Sequence, residues 1–120
     1  MIVITTPTGQ IGSKVLEKLL GTDEKLRVIA RDPSKLSDAA RERVEVIEGS
    51  LDDFEIVSRA FHDADELFLN VPPSIKYSDV NEYYLQFARP ACRAITGQGV
   101  ERVVYISESE LRDFLKRAYG

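Results

Sequence analysis

The residues best suited to chemistry lie in the run Ile4-Thr5-Thr6-Pro7-Thr8-Gly9-Gln10-Ile11-Gly12. Here an apolar strand pattern enters a tight turn and passes directly into an amphipathic helix. A helix that starts this way holds its first backbone amides, and the positive end of its dipole, above the strand ends. Together they attract anions, phosphate above all. Gly9 lets the backbone come close to a phosphate, and Gly12 lets the helix pack closely on the sheet. The full G-x-x-G-x-x-G spacing would put its first glycine where Thr6 stands, so the pattern is incomplete. Two glycines three apart are a weak signal; the strand before and the helix after give them their weight. The alternative is a plain strand-to-helix turn that holds no ligand.

Other chemistry-bearing side chains offer less. His62 is the only histidine, near Asp63 and Asp65 at the end of a helical pattern. One imidazole does not make a metal site, and a surface position favoured by the helix dipole accounts for it. Asp52 and Asp53 read as a helix start and not as a carboxylate dyad. Metal chemistry has no support. Cys92, the single cysteine, sits in a helical pattern with no histidine near it in sequence. It is expected as a core residue, not a nucleophile. One cysteine forms no intrachain disulfide, which suits a reducing compartment.

The elements that must position the turn alternate along the chain. Strand patterns cover Ile2 to Thr5, Leu26 to Ala30, Val44 to Ile47, Glu66 to Asn70 and Arg102 to Ile106. Several are near-continuous aliphatic runs, as in parallel strands buried on both faces. The first helix carries Ile11, Val15, Leu16, Leu19 and Leu20 on one stripe and stops at Gly21. A short second helix starts with Asp32 as cap and Pro33 at its first position. The third starts at Asp52, with Glu55 completing a capping box, and buries Ile56, Val57, Ala60 and Phe61. The fourth carries Val80, Tyr84, Phe87, Ala91 and Ile95 and closes at Gly97, with Pro90 expected to kink or split it. A fifth runs from a Ser107 cap through Leu111, Phe114, Leu115, Ala118 and Tyr119.

Such alternation predicts one α/β domain: a three-layer Rossmann-type fold with a five-stranded parallel sheet and helices on both faces. With a dinucleotide-type first turn, the strand order that follows is 3-2-1-4-5. The chain's 120 residues suffice for one domain, with 43% hydrophobic and 30% charged residues excluding a disordered chain. A net charge of -4 argues against nucleic acid or an anionic membrane as partner. No apolar run approaches the ~18 residues of a membrane span. The strand pattern at the N-terminus leaves no room for a signal peptide, so the cytoplasm is the expected location.

Three segments together resemble the NmrA-like, atypical short-chain dehydrogenase/reductase group. They are the opening Ile4-to-Gly12 run, Val28-Ile29-Ala30-Arg31-Asp32-Pro33-Ser34-Lys35, and Gly99-Val100-Glu101-Arg102-Val103-Val104-Tyr105-Ile106-Ser107. The resemblance extends from Met1 to about Ser107. It implies a Rossmann domain for NADP(H) or NAD(H). Some members reduce quinones or similar small acceptors, and others sense the cofactor and regulate a partner.

Carried over by position, the resemblance puts Thr8, Gly9, Gln10 and Ile11 in the pyrophosphate turn, with Thr6 in place of the first glycine. Arg31 stands at the tip of the second strand, where the group often binds the 2′-phosphate of NADP. A guanidinium matches a phosphate there, whereas an acid would accept from a ribose hydroxyl. NADP(H) is therefore favoured, with NAD(H) the alternative, and Lys35 adds a second cation. A solvated surface residue is the competing reading of Arg31. Ser50, followed by Leu51, stands where members commonly carry an adenine-binding Asp, which weakens that assignment. Asn70, Val71 and Pro72 would flank the nicotinamide ribose.

No catalytic residue emerges. None of the tyrosines has Lys four positions on, and Ser107 reads as a helix cap before it reads as a catalytic serine. Members continue past Ser107 to a portion that walls the substrate pocket, whereas this chain ends on its fifth helix. The expected function is accordingly a dinucleotide-binding module or redox sensor. The alternative is an NADPH-dependent reductase of quinones or similar acceptors. A homodimer through the fifth strand and last helix is expected to wall the cleft; the alternative is a monomer whose last helix packs back on its own sheet.

Overall fold

The computed structural model describes residues 1–70 and 80–105; for Gln10 and residues 80–84 it describes the backbone alone. The fifth predicted helix, Val71 and Pro72 lie outside the described residues. The described elements run β1 (Ile2–Ile4), α1 (Gln10–Leu20), β2 (Leu26–Ala30), a one-turn 3-10 helix (Pro33–Lys35) and α2 (Asp38–Arg43). They continue with β3 (Glu45–Glu48), α3 (Phe54–Phe61), β4 (Glu66–Leu69), α4 (Val80–Gln98) and β5 (Arg102–Tyr105). All strand pairs are parallel, and the sheet order is β3-β2-β1-β4-β5, as the alternation predicts.

Two apolar clusters, one for each face of the sheet, hold the layers together. Val3, Ile29, Leu67 and Leu69 pack with Val57, Phe61 and Ala91 from α3 and α4. Ile4, Val28 and Phe68 pack with Ile11 and Leu16 of α1 and Ala40 of α2. The alternation is the pleat at work: Val3 and Ile4 are neighbours in β1 and serve opposite faces. β2 is buried along its whole length, as expected of a strand covered on both faces.

Several boundaries differ from the sequence pattern for local reasons. Val44 closes α2, its N–H donating to the Ala40 carbonyl at 2.9 Å, so β3 begins one residue later. Asp53, not Asp52, caps α3, its side chain accepting from the Glu55 N–H at 3.0 Å. α4 runs unbroken through Pro90 and past Gly97; the turn out of it is made at Gly99, with φ 67°. Cys92 is exposed, contrary to the expected core position. Phe87, Ala91 and Ala94 supply the buried stripe of α4, and Cys92 stands about 100° round the helix from Ala91. Asp32 does cap the 3-10 turn, with Pro33 at its first position. Among the described residues no helix is long and apolar enough to cross a membrane.

Candidate functional site

The sheet order reverses between β1 and β4, so the crevice beyond their carboxyl ends is where an open α/β fold takes its ligand. Thr5, directly after β1, is buried and joins the two strand ends. Its hydroxyl donates toward the carbonyls of Phe68 (3.3 Å) and Asn70 (3.2 Å) and accepts from the Asn70 N–H at 3.1 Å. Thr6 Oγ1 reaches the Asn70 side-chain carbonyl at 3.5 Å, a long contact across the same switch point. Sequence reasoning overlooked Thr5; the available signal was a hydroxyl ending an otherwise aliphatic strand.

From Thr6 the chain turns sharply. The Gly9 N–H donates to the Thr6 carbonyl at 3.2 Å, and the Ser13 N–H donates back to the Gly9 carbonyl at 3.0 Å. Gly9 is the N-cap of α1 and contributes no side-chain cap. Gly12 sits against the turn so closely that a Cβ there would stand 1.7 Å from the Thr6 carbonyl oxygen. That is the close helix packing expected of this glycine. Gly9 differs: it is exposed, with φ −76°, and a Cβ would find its nearest neighbour at 3.5 Å.

The other sequence candidates divide by burial. Thr8 is exposed, and Thr8 and Lys35 line one groove of about 620 Å³ between α1 and the segment after β2. Arg31 is exposed at the tip of β2. Ile11 and Leu51 are buried in the core, so only their backbones are available to a ligand. Asn70 is buried at the end of β4. Ser50 donates its hydroxyl to Asp52 Oδ1, and Gln86 of α4 donates to Asp52 Oδ2 at 2.8 Å. The Ser50 hydroxyl is the main cause holding the Asp52 carboxyl below its usual range; Gln86 and the positive charge of Arg31 add to it, against some desolvation. The 3-10 turn holds Asp32 low in the same sense, chiefly through the Ser34 hydroxyl.

Away from this crevice, Arg27 is a buried cation that sequence reasoning missed inside an apolar strand. Its Nε pairs with Glu45 at 2.9 Å, while one terminal nitrogen donates to the Ala60 and His62 carbonyls at 2.7 Å each. It thereby satisfies the orphan carbonyls at the end of α3. His62 is exposed there, beside Gln98 and Asp63. Among the described residues no group of three His, Cys, Asp or Glu side chains gathers as a metal would need.

A tight strand-turn-helix at the switch point, with a close-packed glycine and cations at the next strand tip, is what a dinucleotide's phosphates require. The family model described as NAD(P)H-binding matches residues 7–120. The chain belongs to this NAD(P)H-binding family. Membership agrees with the resemblance to atypical short-chain dehydrogenases/reductases.

Solved structures similar to this NAD(P)H-binding chain include Citrobacter sp. triphenylmethane reductase complexed with NADP(H). It is 25% identical, with a TM-score of 0.72 over 87% of this chain and 36% of that one. An Escherichia coli NADPH-dependent quinone oxidoreductase complexed with NADPH is 27% identical, with a TM-score of 0.70 over 88% of this chain and 36% of that one. A Veillonella parvula short-chain dehydrogenase/reductase in complex with NADP shares the fold at 24% identity, with a TM-score of 0.71 over 93% of this chain and 49% of that one. The chain thus spans about a third of the length of the first two. No protein of curated function matches it.

Proposed function

We propose that this chain binds NADP(H) in preference to NAD(H) and serves as a dinucleotide-binding module or redox sensor. The observation that carries the reading is the start of α1, packed through Gly12 onto the Thr6 carbonyl at the β1–β4 switch point. In this reading the backbone of Thr8, Gly9, Gln10 and Ile11 faces the pyrophosphate, with Thr6 beneath it. Arg31 meets the 2′-phosphate, and Lys35 adds charge. Ser50 and Leu51 border the adenine, and Asn70, Val71 and Pro72 border the nicotinamide ribose. When bound, the dinucleotide supplies a hydride donor or acceptor; the protein supplies its binding and orientation. The NADP-bound and NADPH-bound relatives support the preference.

Parallel calorimetric titrations with NADPH and NADH test it. A charge-assisted contact to phosphate contributes about 1.5–3 kcal/mol, so NADPH binds on the order of tenfold to a hundredfold more tightly. Arg31→Ala erases the difference. Equal affinities in the wild type contradict the assignment of Arg31.

A second reading is an NADPH-dependent reductase of quinones or similar flat acceptors. The two reductases at 25% and 27% identity favour it. Oxidation of NADPH on addition of a small quinone panel decides between them: turnover makes the chain an enzyme, and its absence across the panel leaves the module.

We also propose a homodimer joined through β5 and the helix predicted beyond it. Val103, Val104 and Tyr105 of β5 are all exposed, and an aliphatic sheet edge favours pairing with a twofold-related copy. Light scattering over a concentration series tests it; a mass that stays at 13.5 kDa contradicts it. The exposed free thiol of Cys92 suits a reducing compartment, and the cytoplasm is the location proposed.

A further inference from the structure

We infer that Asp52 is a specificity-determining residue, a fixed negative charge beside Arg31 that limits the preference for a 2′-phosphate. The inference rests on the proposed role of Arg31. The tips of β2 and β3 lie side by side, the Gly49 N–H donating to the Ala30 carbonyl at 3.0 Å. Arg31 follows β2 directly, and Ser50 lies two residues beyond β3. Asp52 follows in the loop, and because Asp53 caps α3, its carboxylate is not used in capping.

Both oxygens of that carboxylate are engaged. Ser50 donates to Oδ1 from the same loop, and Gln86 donates to Oδ2 from the neighbouring helix α4. Two donors on separate elements pin the group in place and favour its charged form. Its charge reaches Arg31, yet no ion pair joins the two among the described residues. Asp52 is therefore not a clamp on the guanidinium, and among the described residues no side chain forms an ion pair with it. It acts through space.

The consequence differs for the two dinucleotides. A 2′-phosphate brought to Arg31 carries up to two negative charges into the field of Asp52, whereas a 2′-hydroxyl carries none. Asp52 therefore opposes NADPH more than NADH. Between charges near a solvated surface, repulsion of this kind corresponds to about a three- to tenfold change in relative affinity. Sequence alone hides this residue, because an acid two positions before a Glu-containing first turn reads as part of the cap.

The test compares dissociation constants for NADPH and NADH in the wild type, Arg31→Ala, Asp52→Asn and Asp52→Ser. Asn keeps the shape and both hydrogen bonds, since the Gln86 amide can turn its oxygen to the new donor. Ser removes the charge by another route. Both neutral variants are expected to raise the NADPH-over-NADH ratio about three- to tenfold, the gain coming from tighter NADPH. A ratio that falls with Arg31→Ala but stays level or falls in both Asp52 variants overturns the inference and leaves the Arg31 reading standing. A ratio indifferent to Arg31→Ala overturns both. A merely structural role for Asp52 weakens both ligands together and leaves the ratio unmoved, which also counts against the inference.

Discussion

The Thr6 carbonyl lies directly under Gly12: a Cβ on Gly12 would stand 1.7 Å from its oxygen and 2.7 Å from its carbon. Both atoms are backbone, so neither moves aside by changing rotamer. The contact fixes how steeply α1 leaves the sheet, and hence where its first amides face.

Gly12→Ala is therefore expected to destabilise the fold itself. Overpacking against backbone costs at the upper end of the usual range, about 3 kcal/mol. Urea unfolding reads it as a clear fall in midpoint. An unchanged midpoint would mean that the turn is looser than described.

Arg27→Met should also destabilise, by about 2–3 kcal/mol, because the Ala60 and His62 carbonyls lose a charged donor. Met keeps the apolar stem and removes only the guanidinium. The same urea experiment checks it, and a loss below ~0.5 kcal/mol would make the cap dispensable. Arg27→Lys, with a single nitrogen in place of the fork, recovers part of the loss.

Acid should weaken the fold through Asp52 and Asp32. Both carboxyls are held below their ordinary value of 3.8, each chiefly by a serine hydroxyl. A depressed folded-state pKa means that the unfolded chain binds the proton more readily. The contribution is therefore present above the unfolded value and is lost as pH falls through the folded one. Urea midpoints are expected to drop as pH falls below about 3.8. Asp52→Asn should show a smaller drop than the wild type; identical acid profiles would remove Asp52 from this account.

The fold was legible because its signals repeat at each level. Aliphatic runs, capped amphipathic stripes and the first turn all require the same parallel sheet, and β3-β2-β1-β4-β5 follows. What was less legible depended on single-residue choices between similar groups. Asp52 and Asp53 are adjacent acids, and only geometry selects Asp53 as the cap. Cys92 lies one step from the buried Ala91, and a helix turns a neighbour out to solvent in that one step. Arg27 lies in a strand otherwise apolar, and its need for burial comes from α3, far away in sequence. At the site, Gly9, Gly12 and Arg31 announce themselves by type, whereas Thr5 and Asp52 are held by partners on β4 and α4 that no local spacing encodes.

The central claim is that the backbone at Gly9 faces a dinucleotide phosphate. Its most direct test is a calorimetric titration of NADPH into the wild type and Gly9→Val. Gly9 has an ordinary φ of −76°, and the nearest non-neighbouring atom to a new Cβ is the Thr6 carbonyl oxygen at 3.5 Å, so the variant is expected to fold, which its urea midpoint checks. Its stability should fall by no more than about 1–2 kcal/mol, the effect of a poor N-cap. The account predicts saturable binding to the wild type and none to the variant, because the added side chain occupies the phosphate's place. Equal affinity in the two proteins would contradict it.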